Sequence, residues 1–305
     1  MTLADSRRSI STSAPALLIV LAWVVTLLVS TLPDALWAEL IGAAPSWLFW
    51  AKAGLVLVLI VLAWAWNSIR PLRPYLILLF TYLLAWRLLA WVRVTPSWAR
   101  WESQGSWVVG MFGIQVLKIG VALITIAVLL LVMRRRQDAF LARGQWDARA
   151  QPVRWIGLKG DDSWKVVGPI VAFAGAAIML AFLALTNRPS AATVVRALPL
   201  LPAVLLLSAL NAVNEEVSYR SGLLAPVYQV IGKGQAMALT AVFFGLAHYG
   251  GSGLLAELPN MGMIAFLGWW MGKSMIETRG FVWAWFIHFV NDIPVFAFLA
   301  IGSIF

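Results

Sequence analysis

The sequence predicts an all-α fold, a polytopic bundle of transmembrane helices. Of its 305 residues, 62% are hydrophobic and only 12% are charged, whereas soluble domains carry roughly 25% charged residues. Apolar stretches of about 20 residues, long enough to cross a hydrocarbon core of roughly 30 Å, recur along nearly the whole chain. Together these observations exclude a soluble fold and predict an integral membrane protein.

About nine spans are expected, within a range of eight to ten. The apolar stretches lie at 14–32, 48–68, 74–92, 108–133, 166–186, 200–223, 236–256, 260–277 and 281–303. No internal repeat and no low-complexity tract interrupts this series.

The formal charge of +10 indicates membrane topology, not a nucleic-acid partner. Of the 23 Lys and Arg residues, 18 precede residue 195, and most lie between spans. If successive spans cross the membrane in opposite directions, one group of Lys and Arg residues falls on the same side of the membrane. This group contains Arg7, Arg8, Arg70, Arg73, the loop Arg134–Lys165, Lys233, Lys273 and Arg279. By the positive-inside rule this side is cytoplasmic, so we expect a cytoplasmic N-terminus and a location in a bacterial cytoplasmic membrane.

The first apolar stretch is interpreted as a membrane anchor. Arg7 and Arg8 before an apolar run are also typical of secretory and twin-arginine signals. However, 14–32 is long for a signal core, and 35–38 is a poor cleavage site. Cysteine is absent, so thiol and disulfide chemistry play no part.

The basic loop Arg134–Lys165 divides the chain into an N-terminal part, 1–165, and a C-terminal part, 166–305. The loop itself is interpreted as an ordinary positive-inside loop, with an interfacial segment on the anionic leaflet as the alternative. Within the N-terminal spans, isolated Lys52, Arg87 and Lys118 are expected to snorkel or to lie near the interface, with a place in a functional pathway as the less frequent alternative. After the loop, polar residues become clustered, and 166–305 is the predicted core of the site.

The sixth predicted span ends in two adjacent carboxylates and an arginine. Charged groups at membrane depth are costly and usually functional. On a helix, Glu216 and Arg220 are four residues apart and pair along one face, whereas Glu215 points about 100° away. One glutamate is therefore expected to be neutralised and the other available. The alternatives are a buried ion network that joins helices, or a misassigned loop.

The only two histidines of the chain lie in later predicted spans. His248 is expected near mid-depth of 236–256, where a lone histidine is more often a packing residue. His288 and Asp292, however, lie one turn apart on the same helical face. A common cavity with Glu215 is the economical explanation for both histidines.

Two kinds of chemistry fit this set. As an acid–base site, Glu215 would deprotonate a water that a histidine helps to hold, with donors aimed at the developing oxyanion. As a metal site, Glu215 and His248 with His288 or Asp292 would offer three ligands of zinc type. The helical zinc motif HExxH is absent, so we expect no cofactor, with zinc as the open alternative.

Three motifs together resemble those of the CaaX protease and bacteriocin-processing family, also called the Abi family of intramembrane glutamic endopeptidases. They are Glu215-Glu216-x-x-x-Arg220, Phe244-x-x-x-His248 and His288-x-x-x-Asp292, with Thr278-Arg279-Gly280 before the last span. The resemblance covers about 198–300, and it rests on the order and spacing of motifs that are weak one by one.

The resemblance implies a membrane-embedded, prenyl-CaaX-endopeptidase-like hydrolase. Glu215 and His248 would activate water, His288 and Asp292 would stabilise the oxyanion, and Glu216, Arg220 and Phe244 would support the site. In eukaryotic relatives the substrate is a prenylated C-terminal peptide. Asp292 departs from the frequent Asn of the family, so it is expected to be protonated, to orient His288, or to be replaced in its role by Asn291.

The predicted function is hydrolysis of a peptide bond in a membrane-associated or lipidated peptide or protein. The expected partners are this substrate and the lipid bilayer, with no nucleic acid. Two alternatives use the same polar residues without hydrolysis: a membrane scaffold or immunity-type protein, and a proton-coupled transporter.

Overall fold

The computed structural model describes residues 16–133 and 135–304, and within them every regular element is helical, with two isolated β-bridges and no strand. Arg7, Arg8, Arg134 and the start of the first predicted span lie outside the described residues. The helices before the basic loop are α1 (Ala16–Val29), α2 (Leu32–Leu40), α3 (Trp47–Ala65), α4 (Arg73–Arg93), α5 (Pro96–Gln104) and α6 (Trp107–Val132). Those after it are α7 (Trp164–Asn187), α8 (Ala191–Ala197), α9 (Leu201–Glu215), α10 (Ala225–Ile231), α11 (Lys233–Leu246), α12 (Leu254–Thr278) and α13 (Val282–Gly302).

In the described residues, six helical segments have the length and hydropathy to cross a membrane, or seven if α1 and α2 form one span. The prediction of about nine is not confirmed. α1 and α2 are bent by 51° relative to each other, with Pro33 in the first turn of α2. α11 has only 14 residues, about 21 Å at 1.5 Å per residue, which is short of the hydrocarbon thickness. α12 has 25 residues but also carries charged Glu257, Lys273 and Glu277.

A continuous helical segment of 41 residues, Ala191–Ile231, runs through the centre of the protein. Its geometry changes at Glu216, where α9 passes into a nine-residue π-helix, Glu216–Leu224, which we call the π segment. All nine residues of the π segment are buried, against α4, α6, α10 and α11. π-Helical turns are rare and are frequent at functional sites.

The hydrophobic core is continuous between the two parts of the chain. It joins Tyr75 and Leu79 of α4 to Leu223 of the π segment and Phe243 of α11. The division at residue 165 stays a prediction, and the packing shows that helices of the N-terminal part contact the C-terminal helices directly.

The basic loop packs onto one end of the bundle. The amide of Gln145 donates to the Thr278 carbonyl oxygen at 2.7 Å, and that of Phe281 donates to the Ala142 carbonyl oxygen at 2.8 Å. Buried Glu277 accepts hydrogen bonds from Trp164 at 3.0 Å and Lys233 at 2.6 Å. We call the end formed by residues 135–163, Lys233 and 279–281 the basic end. Its grouping of cations agrees with the predicted single-sided arrangement, whose orientation in the membrane stays a prediction.

Gly280 has a steric role at this end. A Cβ atom added to Gly280 would overlap the carbonyl oxygen of Arg143 and the Cα of Gly144. The backbone of the loop therefore approaches the turn closely only because residue 280 has no side chain.

Candidate active site

The predicted site residues converge from four helical elements and one turn. Glu215 is the last residue of α9, Glu216 and Arg220 belong to the π segment, and Phe244 lies on α11. His288, Asn291 and Asp292 lie on α13. His248 differs from its prediction, because α11 ends at Leu246 and His248 occupies the turn that follows. The glycine-rich stretch 250–253 directly after it disfavours continuation of the helix.

Glu215 lies between the two histidines. Its Oε2 atom is 3.6 Å from Nε2 of His288 and 3.9 Å from Nε2 of His248. Oε2 is buried and has no hydrogen-bond partner within 16–133 and 135–304. A buried carboxylate oxygen without a partner requires an explanation, and here it faces two imidazole nitrogens just beyond direct hydrogen-bonding range.

The tautomer of His248 follows from its backbone contact. Its Nδ1 atom lies 2.8 Å from the carbonyl oxygen of Phe244, which only accepts, so Nδ1 carries a proton and donates it. In the neutral ring, Nε2 is then a hydrogen-bond acceptor. Nε2 of His248 and Oε2 of Glu215 are therefore two hydrogen-bond acceptors that face each other across a short gap.

Glu216 and Arg220 form an ion pair that contacts the Nδ1 side of the His288 ring. The Glu216 Oε1 atom is 2.8 Å from Nδ1 of His288 and 3.1 Å from Nη1 of Arg220. The Glu216 and Arg220 side chains are 0% and 2% exposed, and the guanidinium carbon of Arg220 lies 4.1 Å from the centre of the Phe244 ring. The predicted pairing of Glu216 with Arg220 is therefore present, and the carboxylate fixes the orientation of the imidazole.

Asp292 and Asn291 point to different surroundings. Asp292 Oδ2 accepts from Nδ2 of Asn211 at 2.9 Å and lies 3.6 Å from Nε2 of His288. The Asn291 amide instead donates to the carbonyl oxygens of Ile287 at 2.8 Å and Ala172 at 3.3 Å. Because its donors are engaged by backbone, Asn291 is poorly placed to take over the role of Asp292.

Sequence reasoning missed Lys118 and Asn211. Lys118 Nζ lies 2.7 Å from Glu215 Oε1 and 2.5 Å from Asn211 Oδ1. Lys118 was expected to snorkel and Glu215 to be available. Because α6 packs against α9, Lys118 instead pairs with Oε1 of Glu215, and only Oε2 is left without a partner among the described residues. The signal was present in the spacing: Asn211 precedes Glu215 by four residues, and Gln115 precedes Lys118 by three, so each pair shares a helical face.

Two cavities meet at this cluster, and Lys118, Glu215 and His248 line both. The first, about 580 Å³, is formed largely by α1 to α4 and contains Asp34, Lys52 and Arg87. The second, about 440 Å³, is mostly apolar, with side chains such as Met111, Phe182 and Leu183, and it also contains His288 and Asp292. Both volumes fall within the range of roughly 300–1,000 Å³ that is typical of ligand sites.

Among the described residues, no group of three or more His, Cys, Asp or Glu side chains has an arrangement that could hold a metal ion. The Lys118 ammonium already contacts one oxygen of Glu215, and a cation there competes with a metal for the same carboxylate. The donor set therefore fits a resident zinc ion poorly, and the absence of a cofactor stays a prediction.

The comparisons with known proteins concern the same part of the chain. Residues 197–294 match the family model described as type II CAAX prenyl endopeptidase Rce1-like. No curated protein and no solved structure gives a significant match to the chain. The matched region contains all three motifs, whereas Lys118 and the first-cavity residues Asp34, Lys52 and Arg87 lie before it. The family match confirms the resemblance drawn from the motifs: residues 197–294, about a third of the chain, are similar to the Rce1-like type II CAAX prenyl endopeptidases.

Proposed function

We propose that this protein is an intramembrane endopeptidase that hydrolyses a peptide bond in a membrane-associated or lipidated substrate. The observation that carries the proposal is the unpartnered Oε2 atom of Glu215, which faces Nε2 of both histidines. The Rce1-like family supports a peptidase, and the side-chain geometry supports the roles given below.

A water molecule between Glu215 Oε2 and His248 Nε2 would donate one hydrogen bond to each of these acceptors. Glu215 then removes one proton as the water oxygen attacks the carbonyl carbon of the substrate. Lys118 keeps the carboxylate ionised and holds its other oxygen, so Oε2 is the atom that takes the proton. The backbone contact of His248 with Phe244 holds the imidazole in the required tautomer.

The tetrahedral intermediate places negative charge on the former carbonyl oxygen. His288, protonated on both ring nitrogens, donates from Nε2 to this oxygen while Glu216 accepts from Nδ1. The Glu216 carboxylate favours the imidazolium, and Arg220 holds that carboxylate in position. Glu215 returns its proton to the leaving nitrogen, the carbon–nitrogen bond breaks, and a carboxylic acid and an amine form. The second proton of the water, which remains on the acid, then passes to the amine, so the products leave as a carboxylate and an ammonium group.

Asp292 acts on His288 in this scheme. An ionised Asp292 would repel an oxyanion at close range, whereas its hydrogen bond from Asn211 turns Oδ2 toward the imidazole. The carboxylate therefore fixes the ring position together with Glu216.

The apolar second cavity supports a substrate that carries an apolar chain. Its lining of Met, Phe and Leu side chains surrounds the histidine side of the cluster. Burial of such a chain stabilises binding by about 25 cal/mol per Å² of apolar surface, and it would also exclude bulk water from the reacting groups. A lipidated peptide satisfies both conditions.

The test uses purified protein in lipid nanodiscs and a fluorogenic peptide with an S-prenylated cysteine. Glu215→Gln and His248→Ala should each lower kcat by about 10²-fold or more, the usual contribution of a general base. Glu102→Gln, which removes a half-exposed carboxylate of α5, is the matched control and should keep full activity.

Full activity of both site variants, with unchanged folded yield, would overturn the proposal. If no peptide is cleaved and the variants also keep the cellular phenotype, a non-catalytic scaffold is favoured. Proton flux in liposomes that Glu215→Gln abolishes would favour a transporter instead.

A further inference from the structure

The first cavity contains more cationic than anionic side chains. Among its lining residues, Lys52, Arg87 and Lys118 face Asp34 and Glu215. Lys52 is paired with Asp34 and also donates to the Ser30 carbonyl oxygen at 2.6 Å, and Lys118 is paired with Glu215. Arg87 is the cation that remains.

Arg87 makes no ion pair and donates no side-chain hydrogen bond to any residue that the structure describes. Its Nε atom is buried without a hydrogen-bond partner. The guanidinium carbon lies 5.0 Å from the centre of the Phe49 ring and 5.5 Å from that of Trp91. These rings hold a cation in place by cation–π attraction but leave its donors unused.

A guanidinium group whose donors are unused is well suited to bind a carboxylate. Its planar donors match a carboxylate in a bidentate arrangement, and such charge-assisted pairs are stronger than neutral hydrogen bonds. Snorkelling to the interface alone does not explain the geometry, because Arg87 lines the same cavity as Glu215 and His248.

Arg87 shares both its helix and the first cavity with Tyr82. The Tyr82 hydroxyl oxygen lies 2.7 Å from that of Tyr219, which also lines the cavity and follows Glu215 by four residues. Arg87, Tyr82, Tyr219 and Glu215 therefore line one cavity, so a substrate segment that enters it from Glu215 can reach the guanidinium.

The two cavities therefore differ in what they accept on either side of Glu215. The apolar second cavity suits the lipidated side of the substrate, and the cationic first cavity suits the departing side. We propose that Arg87 binds a carboxylate on the departing side of the substrate, beyond the cleaved bond. This carboxylate is either the C-terminal α-carboxylate or the side chain of an acidic residue, and the inference rests on the proposed function.

The experiment uses three prenylated peptides of the same sequence: one with a free C-terminus, one with an amidated C-terminus, and one amidated with Asp at the last position. Arg87→Gln is compared with Arg93→Gln, an arginine on the same helix that contacts Glu102 at 3.7 Å and does not line the cavity. Arg87→Lys retains the charge without the bidentate geometry.

Wild-type protein should prefer the acidic peptides over the plain amide, mainly through KM. Arg87→Gln should raise KM for the acidic peptides roughly 10- to 100-fold, the size of one charge-assisted hydrogen bond, and leave kcat and the amide unchanged. Arg87→Lys should fall between, and Arg93→Gln should behave as wild type. The free acid and the Asp peptide distinguish the two sources of the carboxylate.

Binding of analogues with a reduced, uncleavable bond provides a readout apart from activity. Equal binding of acid and amide analogues by folded wild type overturns the role of Arg87, even if cleavage occurs. If the protein binds the acid analogue preferentially but cleaves no peptide, the carboxylate site at Arg87 is supported and the proposed peptidase function is wrong. If the Arg87→Gln effect disappears in nanodiscs without anionic lipid, Arg87 binds lipid phosphate, and the inference is wrong.

Discussion

Lys118 Nζ lies 2.7 Å from Glu215 Oε1, although the two residues are 97 positions apart. Lys118 lies in the N-terminal part, outside the region that the family model matches, while Glu215 is central to the first family motif. The proposed site is therefore completed by a helix that the motifs do not include.

Replacing Lys118 by Met should inactivate the protein and destabilise it. The substitution leaves the Glu215 carboxylate buried without its cation, and breaking a buried pair on one side costs roughly 3–5 kcal/mol. Thermal unfolding in nanodiscs and kcat on the prenylated peptide measure the two effects. The double variant Lys118→Met/Glu215→Gln should regain stability but not activity, and equal stability of both variants would contradict this assignment.

Glu216→Gln should lower kcat by about 10- to 100-fold, the usual effect of losing a group that orients a functional histidine. The amide keeps the volume of the side chain but no longer balances an imidazolium at Nδ1 of His288. KM should change little, because Glu216 is fully buried behind the histidine. A steady-state kcat equal to that of wild type would show that His288 acts without this carboxylate.

Asp292→Asn and Asp292→Ala should differ in activity. Asn keeps an oxygen for the hydrogen bond from Asn211 and adds a neutral donor near His288, so the variant should stay active. Ala removes both, and about a 10- to 100-fold loss in kcat is expected, the usual effect of losing a group that orients a functional histidine. If the Asn variant is as inactive as the Ala variant, the negative charge itself is required.

Chelation addresses the zinc alternative. After incubation with 1,10-phenanthroline and dialysis, peptide cleavage should stay unchanged, because Lys118 already contacts the Glu215 carboxylate. Elemental analysis of the purified protein accompanies the assay. Activity that is lost on chelation and restored by added zinc would replace the acid–base mechanism by metal chemistry.

Gly280→Ala should destabilise the basic end without changing the chemistry. The new Cβ would overlap the backbone of Arg143 and Gly144, so the loop must move away from α12. A lower unfolding temperature is expected, with unchanged kcat per folded molecule. Gly234→Ala, where a Cβ meets nothing within 4 Å, is the matched control. An unchanged unfolding temperature would show that the loop adapts at no cost.

Local periodicity predicted the contacts within one helix well. The pairing of Glu216 with Arg220 and the proximity of His288 to Asp292 both follow from four-residue spacing, and both are found. The all-helical fold and the family resemblance also followed from composition and motif order.

Contacts between distant helices could not be predicted in this way. A single sequence does not reveal which face of α6 meets α9, so Lys118 was assigned to the interface and Glu215 was treated as unpaired. The predicted number of spans is not confirmed for a related reason. Hydropathy does not distinguish a 14-residue helix within the core, such as α11, from a full span.

The π segment has a consequence for how this protein tolerates deletions. An ordinary helix loses a residue with a rotation of about 100° in everything that follows, and a π-helical turn holds one residue more than an α-helical turn. Deleting one residue between 221 and 224 would therefore let a π-helical turn close as an α-helical turn, and α10 should rotate much less than it would after a deletion within α9. The register of α10 thus constrains the length of Glu216–Leu224 less than the placement of its nine buried side chains does.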